Sequence, residues 1–381
     1  MNKKLILILS ILLALGSFST SYAAEEPTAT ETIITLEEAK AKAYDNSRSL
    51  KKYEISVDKA KYQKQQTEYD YNNTLNEYNS LGSSLESNDY SESILEKMQQ
   101  QYEKIESSSE SVNDSENNYT DAQKEKENYR KQLDYIVEEL YTNILSQEDS
   151  LQSLNKEYEL KQYSLNMERK KLQMGSSSQA EVDQLAAEVI KLNRSILEQR
   201  SQIKINKGQL NDMMGRGYDE ALQLTSFEVS VKVNIPEYDQ LLSSATQSYY
   251  TLSQLKRDLD DLDDDLDDED DYYQSLIIRQ NIKEKELQVE DEKITISEKV
   301  NNLVANVRSK QESYQLAITN YITAQQSYEW AKKRFELGQI SKLTLLQSEL
   351  DYLTAKNTKA ANGYALQLAQ QSLMLAQEGI V

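Results

Sequence analysis

From Leu36 onward, apolar residues recur three and four positions apart, the spacing of one face of a helix. Thr35-Leu36-Glu37-Glu38 is a capping box, so a helix is predicted to start there. Ala39, Ala43 and Leu50 open its stripe, which runs through Tyr53, Val57, Tyr71, Leu75 and Tyr78 to about Leu81. Gly82-Ser83-Ser84, followed by Ser87-Asn88-Asp89, carries turn chemistry. Helical sequence resumes near Ser91 and reaches Met174, clearest at Leu133, Ile136, Leu140, Ile144, Leu151 and Leu154. Within it, Ser107 to Asn118 is poor in apolar residues. That stretch is either a frayed piece or the true upper turn in place of 82–90. Gly175-Ser176-Ser177-Ser178 breaks the pattern, and a helix from about Gln179 to Met214 follows, ended by Gly215-Arg216-Gly217.

Residues 218–235 change period. Phe227, Val229, Val231, Val233 and Ile235 alternate with polar residues, which predicts a short strand or an extended linker. Pro236 stands where helix-starting prolines stand. Leu252, Leu255, Leu259, Leu262 and Leu266 then form a heptad seam, with the aspartates of 258–271 on the other faces. Like charges and the poor helix propensity of Asp predict a turn near 268–274. Helix is predicted again from Leu276 to Leu337, a break at Gly338, and a last helix over 343–376 closed by Gly379.

Two halves of this pattern correspond. Leu172-Gln173-Met174-Gly175 matches Phe335-Glu336-Leu337-Gly338 at an offset of 163, and Gly215 matches Gly379 at an offset of 164. The helix starts at Leu36 and Glu237 match less clearly. The fold expected is nearly all-α: long antiparallel coiled-coil hairpins in two repeats, with a short extended linker and few or no β-strands. The expected divisions are a leader over 1–23, a flexible N-terminus over 24–34, a first repeat over 35–215, a linker over 216–235 and a second repeat over 236–379. With upper turns near 86 and 270, the first hairpin would overshoot the second by roughly 25–30 Å.

Composition narrows the chemistry. The 381 residues include 9 Gly, 2 Pro and neither His nor Cys. Cys or His nucleophiles, disulfides, zinc fingers and a Ser-His-Asp triad are thereby excluded. Carboxylates are plentiful, but no cleft can be argued that would hold two of them for acid–base work, so no enzyme, cofactor or metal is expected. The acidic run lacks the glycine and spacing of an EF-hand loop; a solvated helix face is the better reading than loose calcium binding. Lys3 and Lys4, the apolar run Leu5 to Gly16 and Ser21-Tyr22-Ala23 read as a secretory signal peptide cut after about Ala23. The net charge of −21 disfavours nucleic acid as a partner.

At Ala317, Ala324, Ala331, Arg334, Phe335, Gly338, Ile340, Ser341, Leu345, Leu346 and Ala355 the chain resembles the TolC family of outer-membrane efflux proteins. These residues follow that family's spaced alanines, then an aromatic and a glycine, a small-polar turn and a leucine pair. Leu172, Gly175, Ser178, Val182 and Leu210 to Gly215 echo it in the first half, and Thr35 to Ala39 with Ala43 and Asn46 look like its opening helix. The resemblance implies a homotrimer whose paired hairpins close into a passive tunnel in the cell envelope. It implies docking to a membrane-fusion-type adaptor protein and an inner-membrane pump through two turns: Gly175, Ser176, Ser177 and Ser178, and Gly338, Gln339, Ile340 and Ser341. Where family members often place two gate aspartates, this chain has Thr344 and Gln347, a possible tunnel constriction without charge.

Around 80–95 and 262–275 there is no apolar alternation long enough for membrane strands, so the family's β-barrel is expected to be missing. Three readings follow: a conduit that still reaches a membrane, a barrel-less envelope scaffold or adaptor-binding protein, and a generic secreted coiled coil. Trp330 and Phe335 are expected in the core rather than at a ligand.

Overall fold

A computed structural model describes residues 32–86 and 92–380. The leader over 1–23 and the turn residues Ser87-Asn88-Asp89 lie outside the described residues. A short strand β1 (Thr32–Ile34) leads into α1 (Leu36–Asn46) and α2 (Arg48–Glu86), which ascend; α3 (Glu92–Gln173) descends and α4 (Gln179–Met213) returns. After β2 (Leu222–Leu224), the order recurs: α5 (Tyr238–Ser248) and α6 (Tyr250–Asp268) ascend, α7 (Tyr272–Glu336) descends and α8 (Lys342–Gln377) returns.

Heptad spacing explains the first hairpin. On α2 the positions turned toward the partner helix are Leu50, Tyr53, Val57, Ala60, Lys64, Thr67, Tyr71, Thr74, Tyr78 and Leu81, alternating steps of three and four. On α3 they include Ile94, Met98, Ile105, Val112, Ala122, Tyr129 and Leu133, with Ser108 and Ser115 at seam positions. The result is a two-stranded antiparallel coiled coil. Ser107 to Asn118 is therefore neither a turn nor frayed. Ser115 pairs with Thr67 across the seam at 2.6 Å, and Lys64 reaches Glu116 at 2.8 Å, so polar contacts hold the register where apolar residues are few. Gly82-Ser83-Ser84 is likewise helical rather than a turn. Both hydroxyls bond carbonyls one turn back, at Asn79 and Ser80, and that satisfies them without leaving the helix.

Near the middle of the chain the helices gather a core. Leu133, Val137, Tyr141 and Ile144 of α3 pack with Ala39 and Ala43 of α1, Leu210 of α4, and Leu222 and Leu224. β1 and β2 pair in parallel, Thr32 opposite Leu222 and Ile34 opposite Leu224. Tyr141, fully buried, ties them to α3: its hydroxyl lies 2.9 Å from the Ile34 carbonyl and 2.8 Å from that of Thr225, and accepts from the Thr225 N–H. The alternation of Phe227 to Ile235 forms no strand. It is an extended stretch whose apolar side is half-buried on the helices and whose polar side faces out. A second core holds Leu241, Leu252, Ile296, Val300, Val307 and Leu366.

The ascending arms are not continuous. Each begins with an 11-residue helix and breaks, at Ser47 and at Tyr249, before the longer helix starts. No proline marks either break; Ser47 instead turns its ψ to 117° and Tyr249 does the same. Pro236 lies just before the N-cap of α5, Glu237, rather than inside the helix. The predicted reversal after the acidic run falls at 269–271, where Asp271 caps α7 by accepting from the N–H groups of Tyr273 and Gln274.

Candidate functional site

Below the core four helices lie side by side. α3 packs against α4 on one flank and α8 on the other, and α8 packs against α7. The layer thus runs α4, α3, α8, α7. Polar rungs fix its register: Lys161 with Glu188, and Asn206 with Gln147, between α3 and α4; Lys156 with Glu349, and Asn357 with the Asp149 carbonyl, between α3 and α8. Tyr352 meets Tyr321 and Tyr328 between α8 and α7.

The two reversals predicted as docking turns close the same end of this layer and are built alike. In the first, the Gly175 N–H donates to the Leu172 carbonyl and the Ser176 N–H to that of Lys171, both at 2.9 Å. In the second, the Gly338 N–H donates to Phe335 and the Gln339 N–H to Arg334, at 2.9 and 2.8 Å. Each glycine has a positive φ, 74° and 70°, and open space where a side chain would stand. Ser178 and Ser341 then cap the returning helices. Ser178 does so in a reciprocal box with Glu181, and Ser341 by accepting from the Thr344 N–H at 3.1 Å. Backbone and side-chain bonds from Ser178, with a further one from Ser177, hold the Glu181 carboxyl below its ordinary range; Ser177 and Lys171 do the same for Glu168. Ser176, Ser177, Ser178 and Ser341 are thus spent largely on shaping the turns. Gln339 and Ile340 complete the second turn beside them.

What these tips offer outward is apolar. Met174 and Leu337, each just before its glycine, are 73% and 72% exposed. They occupy the same place in the two turns and were missed as contact candidates, although their match at an offset of 163 was visible. Trp330 is not in the core: it is 70% exposed, on the side of α7 turned away from α8. Phe335 is partly exposed as well, with Lys342 above its ring. Thr344 and Gln347 stand on the first turns of α8. The Thr344 hydroxyl is paired with Ser341, and the Gln347 amide donates to Asp351 at 2.8 Å. Asp351 puts a carboxylate one turn beyond the neutral pair. Among the described residues no cluster of three or more metal-ligating side chains occurs, and no helix is long and apolar enough to cross a membrane.

No family model matches the chain, and no curated protein matches it by sequence. Solved structures do match. A membrane protein from Pseudomonas aeruginosa shares 12% identity over 94% of this chain and 99% of its own, with a TM-score of 0.57. CusC, whose structures describe folding and transmembrane channel formation, shares 15% identity over 90% of this chain and 95% of its own, with a TM-score of 0.53. The CmeC outer membrane channel of Campylobacter jejuni shares 13% identity over 71% of this chain and 67% of its own, with a TM-score of 0.51. At such identities the likeness is one of fold. The chain has the helical protomer fold of the TolC-type outer-membrane channels.

Proposed function

We propose that this protein is a subunit of a passive efflux or export conduit in the cell envelope. In this reading three copies form a tunnel, and the tips at 174–178 and 337–341 dock a membrane-fusion-type adaptor that leads to an inner-membrane pump. The observation that carries it is the pair of like-built reversals at one end of the layer. Each presents one large apolar side chain, Met174 or Leu337, on a turn stiffened by its own hydrogen bonds. Apolar anchors on rigid turns are what a partner protein can bind without first ordering them. The fold shared with solved channels supports the same reading, and the equivalent order of elements supports duplication of one hairpin unit.

One feature favours the barrel-less version. The upper connections span residues 87–91 and 269–271, against the 9–11 residues that each membrane strand needs. A conduit built this way ends its upper side in helical hairpins. The test is deletion of the gene in its own bacterium, complemented with the intact chain or with Met174→Asp and Leu337→Asp together. The intact chain should restore export of a fluorescent dye, and the double variant should fail while folding normally by circular dichroism. Full complementation by the double variant would refute docking through these tips.

A further inference from the structure

At the level of the first core, α3 forms the floor of a trough whose walls are the end of α4 and the upper part of α8. Tyr141 turns to the side of α3 that α1 and the strands cover; Glu139, Asn143 and Ser146 fall on the opposite side of the same helix and line the trough. Its volume is about 920 Å³, within the range of sites for small organic molecules. Its apolar surface comes from Ile136 and Leu140 of α3, Met213 of α4 and Leu368 of α8, all of them only half-buried. Tyr218, 49% exposed, adds a ring from the connection after α4. That ring lies flat enough on Gly208 to leave no room for a methyl group there, and its hydroxyl donates to the Ile205 carbonyl at 3.4 Å. The wall it makes is therefore a built one.

The charge around this apolar floor has one sign. Among the described residues Glu139 and Asp212 line the trough, and no lysine or arginine does. Asp212 has Arg48 at 3.1 Å, a pair that stands largely in water, and the Glu139 carboxyl makes no ion pair. The second half shows that this arrangement is not part of the hairpin plan. At the offset of 163, buried Leu133, Val137 and Leu210 match buried Ile296, Val300 and Leu373, so the two frames coincide. In that frame Ile136 becomes Lys299, Glu139 becomes Asn302 and Asp212 becomes Leu375. The first half alone sets two acids over an apolar floor.

We infer that the trough binds an amphipathic organic cation, its apolar body on Ile136, Leu140, Met213 and Leu368 and its positive centre beside Glu139 and Asp212. The Tyr218 ring suits the same ligand, since a cation is attracted to an aromatic face. An organic anion of equal shape meets two like charges there, and the one nearby guanidinium is already held by Asp212. As a statement about cargo this rests on the conduit reading and deepens it. The wall of the conduit is then not merely passive: it holds cationic cargo at the level of the core, on the first hairpin and not on the second.

Tetraphenylphosphonium and tetraphenylborate, alike in size and shape and opposite in charge, make the test direct. Binding of each to the full chain is measured by isothermal titration calorimetry in detergent-free buffer. One phosphonium ion should bind per chain, and borate at least about tenfold more weakly. Glu139 is exposed and its carboxyl holds no partner, so Glu139→Lys should invert that preference with the circular dichroism unchanged. Glu139→Gln should weaken phosphonium roughly threefold to fivefold. Glu198→Lys, an equal charge reversal on α4 outside the trough, should leave the preference in place. Equal affinity for the two ions, no binding of either, or an unaltered preference in Glu139→Lys would each overturn the proposal. If phosphonium binds as expected but dye export never depends on the protein, the site stands and the conduit reading falls. If export depends on the protein while neither ion binds, the conduit reading stands and the site falls.

Discussion

Gly175 and Gly215 share a left-handed backbone, with φ of 74° and 72°, but their surroundings differ. At Gly175 an added methyl group meets nothing, whereas at Gly215 it would lie 2.5 Å from the Asn46 side chain at the break between α1 and α2. Gly175→Ala should therefore cost only the conformational penalty of about 1 kcal/mol. Gly215→Ala should cost roughly 2–3 kcal/mol, because the C-terminus of α4 must also move off the break. Urea unfolding of the two variants checks the order. Tyr141 makes a second case. Tyr141→Phe takes the hydroxyl donor from the Thr225 carbonyl in a buried site, while the Thr225 N–H and the Ile34 carbonyl keep their own bond at 3.2 Å, and about 1–3 kcal/mol should be lost. Burial pushes the Tyr141 hydroxyl up to about 12, and burial followed by nearby Asp149 and Glu228 does the same for Tyr364. The folded chain holds these protons where the unfolded chain releases them. Stability is thus whole below pH of about 10 and falls as the pH rises toward 12. Denaturant midpoints measured across that window should decline, less so in Tyr141→Phe.

At the scale of elements, α6 is the least self-sufficient helix. Residues 258–271 consist of three leucines and eleven acidic residues. The leucines hold it to α7, while repulsion works against it. Burial and then the charges of Asp258, Asp114, Asp264 and Asp265 hold the Asp261 carboxyl above its ordinary range, so its ionised form opposes the fold and mild acid relieves the strain. Salt should do the same at constant pH. Raising sodium chloride to ~1 M shortens the screening length to about 3 Å, and amide protection over 258–268 should increase. A decrease would mean that the Lys285–Asp258 and Arg257–Asp121 pairs outweigh the repulsion among the aspartates.

For the whole molecule, the unequal hairpins matter most. The Arg257–Asp121 pair sets the two side by side; beyond it α3 continues for 29 residues to Glu92, but α6 for only 11 to Asp268. The first hairpin therefore rises about 27 Å above the second, close to the overshoot that turn positions alone implied. Among the described residues no other element packs closely on that extension, so its length should be adjustable in whole heptads. Removing 71–77 and 103–109 together keeps both seams in phase and should leave the melting temperature of the core unchanged. Removing 71–77 alone should slip the register and abolish protection throughout the upper hairpin. Hydrogen exchange followed by mass spectrometry distinguishes the two.

Periodicity and punctuation carried the helical class, the lengths of the arms and the places of both glycine turns, because a long helix repeats one local rule and a reversal needs residues that break it. Leu252 to Leu266 kept their heptad seam through the acidic run for the same reason. Local rules misread Ser107 to Asn118 and Gly82 to Ser84: a partner helix supplied the seam contacts that their own composition lacks. They could not show the breaks at Ser47 and Tyr249, which follow from docking against the C-termini of α4 and α8. Nor could they place Trp330 on an outer edge, since a stripe shows that a face is apolar but not which neighbour covers it. That depends on the order of helices in the layer, a property of long-range packing alone.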